Sequence, residues 1–239
     1  MPELAERGCQ IVDAYFDAQR CEELLGEVRK FQNENKLTEI NRPMKPRPLR
    51  YKVIDGHQIE QGLADIWDLY HGEILDIVTK NSGLRLRPLG NQQAGVNINI
   101  MAPQKSSYRW HYDRNDVTAI LYLNSVEGGE TELYPNYRIL VGQNRGSLLQ
   151  QWLDKALLLP PVRRLFGTRM RVEPEVGKLV MMRGNRCWHS VRPVIGDVER
   201  VNIIFAFEIE GKNGGTSEDL DTYLYTTKES GTQDPNYSK

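Results

Sequence analysis

Histidine and cysteine are scarce in this chain. Its 239 residues include four histidines and three cysteines. Cys9, Cys21 and Cys187 are far apart and form no CxxC pair, which excludes a disulfide framework and a cysteine-based zinc knuckle. We therefore expect three reduced thiols.

Long hydrophobic runs are also missing. No apolar run approaches the roughly 20 residues of a membrane-spanning helix, and the first residues, MPELAERGC, lack the basic start and apolar stretch of a signal peptide. The sequence therefore predicts a cytoplasmic protein with no membrane partner. A hydrophobic content of 39% and a charged content of 26% are typical of one globular domain.

The chain as a whole has little net charge, but its charges are unevenly distributed. The formal net charge is −1, whereas residues 138–200 contain twelve Lys and Arg against five Asp and Glu, a local +7. This segment is either a solvated basic face or a docking surface for an anionic substrate or an acidic partner protein. The absence of an overall basic excess argues against nucleic acid as a partner.

The opening third shows helical periodicity. Asp17 is a candidate N-cap for a helix with apolar positions three and four residues apart, and a second helix is predicted over residues 59–78. The stretch between them, NRPMKPRPLR, contains three prolines and is predicted to be a surface loop.

From residue 95 the apolar pattern changes to a period of two. GVNINIM, DVTAILYLN, GGETELYP, GKLVMMR and RVNIIFAFEIE are the strand candidates. In the last of them, Arg200 and Asn202 share a face with Ile204 and Ala206, opposite the face of Val201 and Ile203. An arginine and an asparagine that face a barrel interior need a functional reason, because burying them without partners is costly.

A helical insert interrupts the strands. SLLQQWLDKALLLPPVRRLFG has helical periodicity with a Pro160-Pro161 break, and we expect the insert to lie over one end of the barrel as a candidate lid that carries Leu149 and Trp152. The alternative is an extra helix that covers an apolar sheet face. The last 29 residues are rich in Gly, Ser, Thr and Asp, which predicts a partly ordered tail.

One histidine lies two residues before an aspartate, in WHYDRND. If this stretch is a strand, His111 and Asp113 present an imidazole and a carboxylate on one face. His189, in GNRCWHSVRPV after a strand candidate, is the natural third ligand, since His57 and His71 fall in a loop and a helix. Two imidazoles and one carboxylate are the facial triad of non-haem iron oxygenases. An HxD tripeptide alone is a weak signal, because most such pairs are polar surface residues.

Several motifs occur together in one order. YRWHYD, then YLN and GGET, then GKLVMM, HSVRPV and RVNIIFAF make the segment of about residues 91–210 resemble the Fe(II)/2-oxoglutarate-dependent dioxygenases, and among them the prolyl-4-hydroxylase-like group. The resemblance implies a mainly β fold with supporting helices, a double-stranded β-helix or jelly-roll barrel. Residues 1–239 would form one domain, with helical support over 1–90, the core over 91–210, the insert over 141–174 and the polar tail over 211–239.

The resemblance also implies the cofactors and their ligands. His111, Asp113 and His189 would be the catalytic metal ligands for Fe(II), with 2-oxoglutarate and O2 as co-substrates and ascorbate to keep the iron reduced. Arg200 would bind the far carboxylate of 2-oxoglutarate, and the Tyr122 hydroxyl would donate to the same carboxylate. Related halogenating enzymes replace the carboxylate ligand with a small residue, so Asp113 indicates hydroxylation or a related C–H oxidation such as desaturation or cyclisation.

Three departures from the prolyl hydroxylase pattern bear on the substrate: Met101 without a following glycine, a spacing of eleven from His189 to Arg200, and the insert. They favour a small-molecule substrate such as an amino acid or a specialised metabolite. The alternatives are a peptidyl or protein hydroxylase, oxidation of a substrate tethered to an acidic carrier protein, a non-catalytic barrel binding module, and a zinc hydrolase, which would leave Arg200 unexplained. The candidate substrate residues are Asn99, Arg109, Tyr112, Arg114, Asn202 and Trp152.

Overall fold

Antiparallel strands form two sheets in this structure, a computed structural model that describes residues 3–42, 47–103, 106–141, 147–211 and residue 225. The larger sheet has the strand order β1 (Cys9–Val12), β10 (Leu179–Met182), β7 (Val117–Tyr122), β12 (Arg200–Ile209), β5 (Val96–Met101), β3 (Leu49–Ile54) and β2 (Thr38–Arg42), with β4 (Leu86–Pro88) paired to β12. The smaller sheet has the order β6 (Tyr108–His111), β11 (Trp188–Val191), β8 (Thr131–Tyr134) and β9 (Met170–Val172). This is the predicted jelly-roll arrangement.

Several helices support one side of the larger sheet. The described helices are α1 (Glu3–Arg7), α2 (Ala18–Glu34), α3 (Gly56–Gly62), α4 (Ala64–His71), α5 (Glu73–Ser82), α6 (Gln92–Gly95), α7 (Leu148–Leu157) and α8 (Pro160–Phe166). The main core forms where α2 to α5 meet alternate residues of β5, β7, β10 and β12, among them Ile98, Leu121, Ile203 and Phe205. Burying one apolar face of the sheet leaves the opposite face for the barrel interior.

The predicted alternation along β12 is confirmed. Ile203 and Phe205 are buried in the core beneath the helices, whereas Arg200 and Asn202 line a cavity between the two sheets. In β5, the inward residues Asn99 and Met101 pair with Asn202 and Arg200 of β12. The sheet therefore directs a row of polar side chains into the barrel.

The N-terminal third differs from the prediction in two ways. Besides helices, it contributes the four strands β1 to β4, and β2 and β3 pair on either side of the proline-rich stretch, of which residues 43–46 lie outside the described part. The helix predicted over 59–78 is instead three short helices, α3 to α5. The chain leaves the helical conformation at Leu63 and Gly72, and Gly62 permits the close approach of the Phe31 ring, which an added Cβ would meet at 2.6 Å. Apolar spacing alone did not reveal these breaks.

The insert packs on the outer face of the smaller sheet rather than over one end of the barrel. Leu157 and Leu158 contact a cluster formed by Tyr112, Tyr134, Tyr137 and Trp188. Trp152 is 65% exposed, and neither it nor Leu149 lines the cavity between the sheets. The insert therefore covers the aromatic sheet face, which was the alternative to a lid.

Three remaining expectations concern the thiols, membrane spans and the tail. Cys9, Cys21 and Cys187 are buried and unpaired. Among the described residues, no helix has the length and apolar character needed to cross a bilayer. The predicted tail over 211–239 lies outside the described residues except for residues 211 and 225.

Candidate metal centre and co-substrate cavity

Two neighbouring strands of the smaller sheet bring the predicted ligands together. His111 ends β6 and is paired directly with His189 of β11. Asp113 lies just beyond the strand, so the expectation that it shares a strand face with His111 is wrong. Its position is instead determined by its backbone N–H, which donates to the Gly184 carbonyl oxygen at 3.0 Å. The turn before β11 thus holds the carboxylate beside both imidazoles.

The three side chains converge on one point. The Nε2 atoms of His111 and His189 each lie 3.4 Å from Asp113 Oδ1, and one ligand atom from each residue lies within 4.8 Å of the others. Ligands about 2.1 Å from one ion are about 3 Å apart when they occupy adjacent octahedral positions. The spacing in this structure therefore suits a single metal ion with little rearrangement.

A backbone carbonyl group orients each imidazole from the side opposite the metal position. His111 Nδ1 lies 2.8 Å from the Arg109 carbonyl oxygen, and His189 Nδ1 lies 3.0 Å from the Cys187 carbonyl oxygen. A carbonyl can only accept, so each Nδ1 carries the proton and donates it. Each Nε2 is therefore left with a lone pair aimed at the metal position, which is the usual arrangement of histidine ligands.

Two of the three ligands already favour the protonation states that suit metal binding. Burial lowers the pKa of His111, with a contribution from the nearby His189, which favours the neutral imidazole that a metal requires. Burial alone would raise the pKa of Asp113, but the neighbouring His189 and His111 imidazoles hold it well below its usual range. Burial alone would lower the pKa of His189, and Asp113 outweighs this and raises it. Asp113 is therefore an ionised ligand at neutral pH.

A cavity opens in front of these ligands. It lies between the two sheets and encloses about 1080 Å³ free of protein atoms, including the open space at its mouth. Its wall contains the three candidate ligands together with Met101, Thr131, Arg200 and Asn202. A ligand in the cavity can therefore contact the metal centre and Arg200 at the same time.

Arg200 is a buried cation with no carboxylate partner among the described residues. It is 2% exposed, its Nη1 atom donates to Asn202 Oδ1 at 2.5 Å and lies 3.2 Å from Met101 Sδ, and its Nε has no hydrogen-bond partner. Burial lowers the pKa of Arg200, and the nearby Tyr122 opposes this shift. A guanidinium keeps its charge even so, and an uncompensated buried charge is costly. Its environment therefore suits an incoming carboxylate.

The comparison with known proteins agrees with this chemistry. The family model described as "2OG-Fe(II) oxygenase superfamily" matches residues 96–208, which include the three ligands and Arg200. Over this segment the chain is a 2OG-Fe(II) oxygenase. Its cofactors are accordingly Fe(II) and 2-oxoglutarate, and it is an oxygenase. A search of the curated proteins found no match for this oxygenase.

Three of the solved structures that share the fold of this chain illustrate the similarity. The epimerase SnoN of nogalamycin biosynthesis, in complex with Fe3+, alpha ketoglutarate and nogalamycin RO, is 15% identical with a TM-score of 0.65, covering 87% of this chain and 81% of SnoN. The carbocyclase SnoK of the same biosynthesis is 16% identical with a TM-score of 0.66, covering 85% and 80%. A Pseudomonas putida prolyl-4-hydroxylase is 22% identical with a TM-score of 0.53, covering 87% and 96%.

Two further residues support Asp113 in this oxygenase. The Thr118 hydroxyl donates to Asp113 Oδ2 at 2.5 Å. Gly184 leaves room for this contact, because an added Cβ would lie 2.6 Å from Thr118 Oγ1 and 2.9 Å from Asp113 Oδ2. Only Oδ1 therefore remains for the metal. Neither residue was predicted, since Thr118 lies in the apolar strand VTAILY and Gly184 resembles any turn glycine.

Replacing Thr118 with valine should weaken metal binding about tenfold while leaving the fold unchanged, because loss of a partner that orients a ligand typically costs 10- to 100-fold in metal affinity. Titration of the apoprotein with Fe(II) or Mn(II) under anaerobic conditions measures the effect. The exposed Thr168→Val is the matched control. Equal affinities in both variants would contradict the role assigned to the hydroxyl.

The Tyr122 hydroxyl is directed differently from the prediction. It lies 2.7 Å from Thr131 Oγ1, and Tyr122 is not part of the cavity wall. The Tyr122 ring lies 5.0 Å from the Arg200 guanidinium carbon and supports it as a cation–π partner. Gly129, with φ +65°, leaves room for Arg200, whose Cδ an added Cβ would meet at 2.8 Å. Thr131, rather than Tyr122, lies at the cavity surface.

The candidate substrate residues divide into two groups. Asn99, Tyr112, Arg114 and Asn202 line the cavity, whereas Arg109 and Trp152 do not. Asn99 Oδ1 and the Tyr112 hydroxyl are buried without a hydrogen-bond partner in the part of the chain that the structure describes. Two residues that were not predicted, Asn97 and Tyr225, also line the cavity, and Asn97 Nδ2 donates to the Tyr225 hydroxyl at 3.1 Å. No sequence signal connects them, because 128 positions separate them.

Proposed function

We propose that this oxygenase couples oxidative decarboxylation of 2-oxoglutarate to hydroxylation, or a related C–H oxidation, of a small molecule such as an amino acid or a specialised metabolite. The observation that carries the proposal is the shared cavity, in which the metal centre faces one space with Arg200, which has no carboxylate partner among the described residues. In the hydroxylation reaction, 2-oxoglutarate, O2 and the substrate C–H group give succinate, CO2 and an alcohol.

The protein residues bind and orient the co-substrate. Arg200 would pair with its far carboxylate through two charge-assisted hydrogen bonds, and Asn202, which accepts from Arg200 Nη1, keeps the guanidinium in place. If the Tyr122 hydroxyl donates to Thr131, the Thr131 hydroxyl proton is free to bind the same carboxylate. Bound iron supplies the activation of O2 that the side chains cannot provide.

The cavity wall supports a small polar substrate. Buried polar atoms are normally paired, and Asn99 Oδ1 and the Tyr112 hydroxyl have no partner among the described residues. A substrate that donates to Asn99 Oδ1, on the cavity wall, would satisfy the first of these atoms. Arg114 adds a positive charge at the same wall. The similar structures include an epimerase and a carbocyclase of nogalamycin biosynthesis, which is consistent with a small molecule.

Two other substrate classes are distinguishable by experiment. A peptidyl or protein hydroxylase is suggested by the Pseudomonas putida prolyl-4-hydroxylase, and such an enzyme should oxidise peptides but not the free metabolites. A substrate tethered to an acidic carrier protein is suggested by the basic segment 138–200. In that case free carrier protein should compete with the loaded form.

Succinate release tests the proposed reaction. Anaerobically purified protein, given ferrous iron, ascorbate, 2-oxoglutarate and air, should release succinate slowly even without substrate, and an iron-free sample should not. Iron-dependent succinate then provides the assay for a substrate screen. Absence of succinate, together with absence of a visible charge-transfer band when 2-oxoglutarate is added to the anaerobic iron complex, would refute the proposal and favour a non-catalytic barrel.

A further inference from the structure

The outer face of the smaller sheet, together with α7 and α8, exposes large apolar side chains that the reaction does not use. Leu148 is 84% exposed, Leu165 76%, Phe166 71% and Trp152 65%. We call this surface, from Leu148 on α7 to the outward residues of β6, β8, β9 and β11, the outer face. Apolar clusters of this kind on a protein surface mark interaction sites.

Arginines surround the sheet part of the outer face. The Glu132 carboxylate is buried and lies within 4 Å of four guanidinium groups, those of Arg47, Arg169, Arg171 and Arg192. Arg192 also lies 3.5 Å from Glu130 Oε2. Four cations therefore share two carboxylates, and the excess positive charge is carried by partly exposed side chains. Such guanidiniums suit phosphate oxygens.

The arginines and the apolar side chains belong to one continuous surface. Trp110 and Trp188 stack at 4.4 Å between ring centroids on the outward side of β6 and β11. Arg169 lies 5.8 Å from the Trp110 ring, and Arg163 of α8 lies 5.4 Å from the Trp188 ring. Arg163 is followed in α8 by Leu165 and Phe166. Arg163 therefore links the aromatic pair beside the basic cluster to α8, which exposes Leu165 and Phe166.

The charge of this surface discriminates among possible occupants. Residues 147–171 contain five Lys and Arg and one Asp, a net +4, so a second copy docked through the same face would bring like charges together. A nucleic acid would pair with the arginines but leave Leu148, Leu165 and Phe166 exposed. These three side chains are 71–84% exposed and project from the surface, as do the apolar residues that interfacial helices insert into a bilayer.

We propose that the outer face docks this oxygenase onto an anionic phospholipid bilayer. Leu148, Leu165 and Phe166 would enter the boundary between headgroups and acyl chains, while Arg169 and Arg171 bind lipid phosphates. Apolar insertion combined with attraction to anionic lipids is how interfacial helices bind membranes. Such peripheral contact requires no spanning helix. It departs from the expectation of no membrane partner, which rested on the lack of a long apolar run, because exposure in the folded state is invisible in the sequence.

Vesicle co-sedimentation tests the proposal. The full chain should bind vesicles of equal parts phosphatidylcholine and phosphatidylglycerol, bind far less to vesicles of phosphatidylcholine alone, and dissociate at high salt. The double variant Leu165→Ser/Phe166→Ser should bind about tenfold more weakly, since two apolar side chains no longer leave water. The double variant Arg169→Gln/Arg171→Gln should lose the preference for anionic lipid.

Val198→Ser is the matched control, because Val198 is an exposed apolar residue beside Glu199, which pairs with Arg29 of α2 on the helical side. It should bind vesicles like the unmodified chain. No binding to anionic vesicles, binding that Leu165→Ser/Phe166→Ser does not weaken, or tighter binding to single-stranded DNA than to vesicles would each overturn the proposal. Iron binding and succinate release, measured on the same samples, report separately on the proposed reaction.

Discussion

Arg200→Ala should weaken 2-oxoglutarate binding about 100-fold while leaving iron binding intact, because removing one partner of a buried charge pair typically costs 2–5 kcal/mol. Arg200 is almost completely buried, faces the metal centre across one cavity, and has no carboxylate partner among the described residues. The co-substrate carboxylate is the counter-ion that this arrangement lacks. Titration of 2-oxoglutarate into the anaerobic iron complex, followed by its charge-transfer band, measures the effect.

The matched control is Arg87→Ala. Arg87 is half-exposed on β4 and pairs with Glu208 at 2.7 Å, outside the cavity wall. This variant should bind 2-oxoglutarate like the unmodified chain. Unchanged affinity in Arg200→Ala, or loss of iron together with 2-oxoglutarate in a folded sample, would show that Arg200 does not hold the carboxylate.

His189→Ala should abolish stable iron binding, an effect larger than the 10- to 100-fold expected for residues that only orient a ligand. Only His111 and Asp113 would remain as ligands. Alanine leaves a space in front of Asp113 and provides no atom that could replace the imidazole as a metal ligand. Metal content after anaerobic reconstitution and dialysis measures the loss, and circular dichroism reports on the fold. Because metal binding precedes chelation by 2-oxoglutarate, the charge-transfer band should disappear as well.

The exposed histidine His57 provides the control for this variant. His57→Ala should retain one iron per chain. The contrast between His189→Ala and Arg200→Ala then separates the two roles, since the first should lose both ligands and the second only 2-oxoglutarate. If His189→Ala retained iron as well as His57→Ala does, the proposed ligand set would be wrong.

The ligand residues could be identified from the sequence, although one part of the reasoning was incorrect. His111, Asp113 and His189 do converge, yet Asp113 is held by a backbone hydrogen bond to Gly184 and by the Thr118 hydroxyl rather than by strand alternation. The first contact joins segments far apart in the chain, and the second spans five residues across the turn from β6 to β7. Local periodicity contains no information about such contacts.

The sequence by itself determined the alternation of β12, the order of the motifs and hence the jelly-roll fold, because side-chain direction in a strand depends only on position along the chain. The tertiary structure decided what depends on packing between distant segments. It directed the Tyr122 hydroxyl to Thr131 and brought Tyr225 to Asn97 in the cavity wall. It also placed the insert on the outer sheet face, since burial of Leu157 and Leu158 requires the aromatic cluster that only the folded sheet presents.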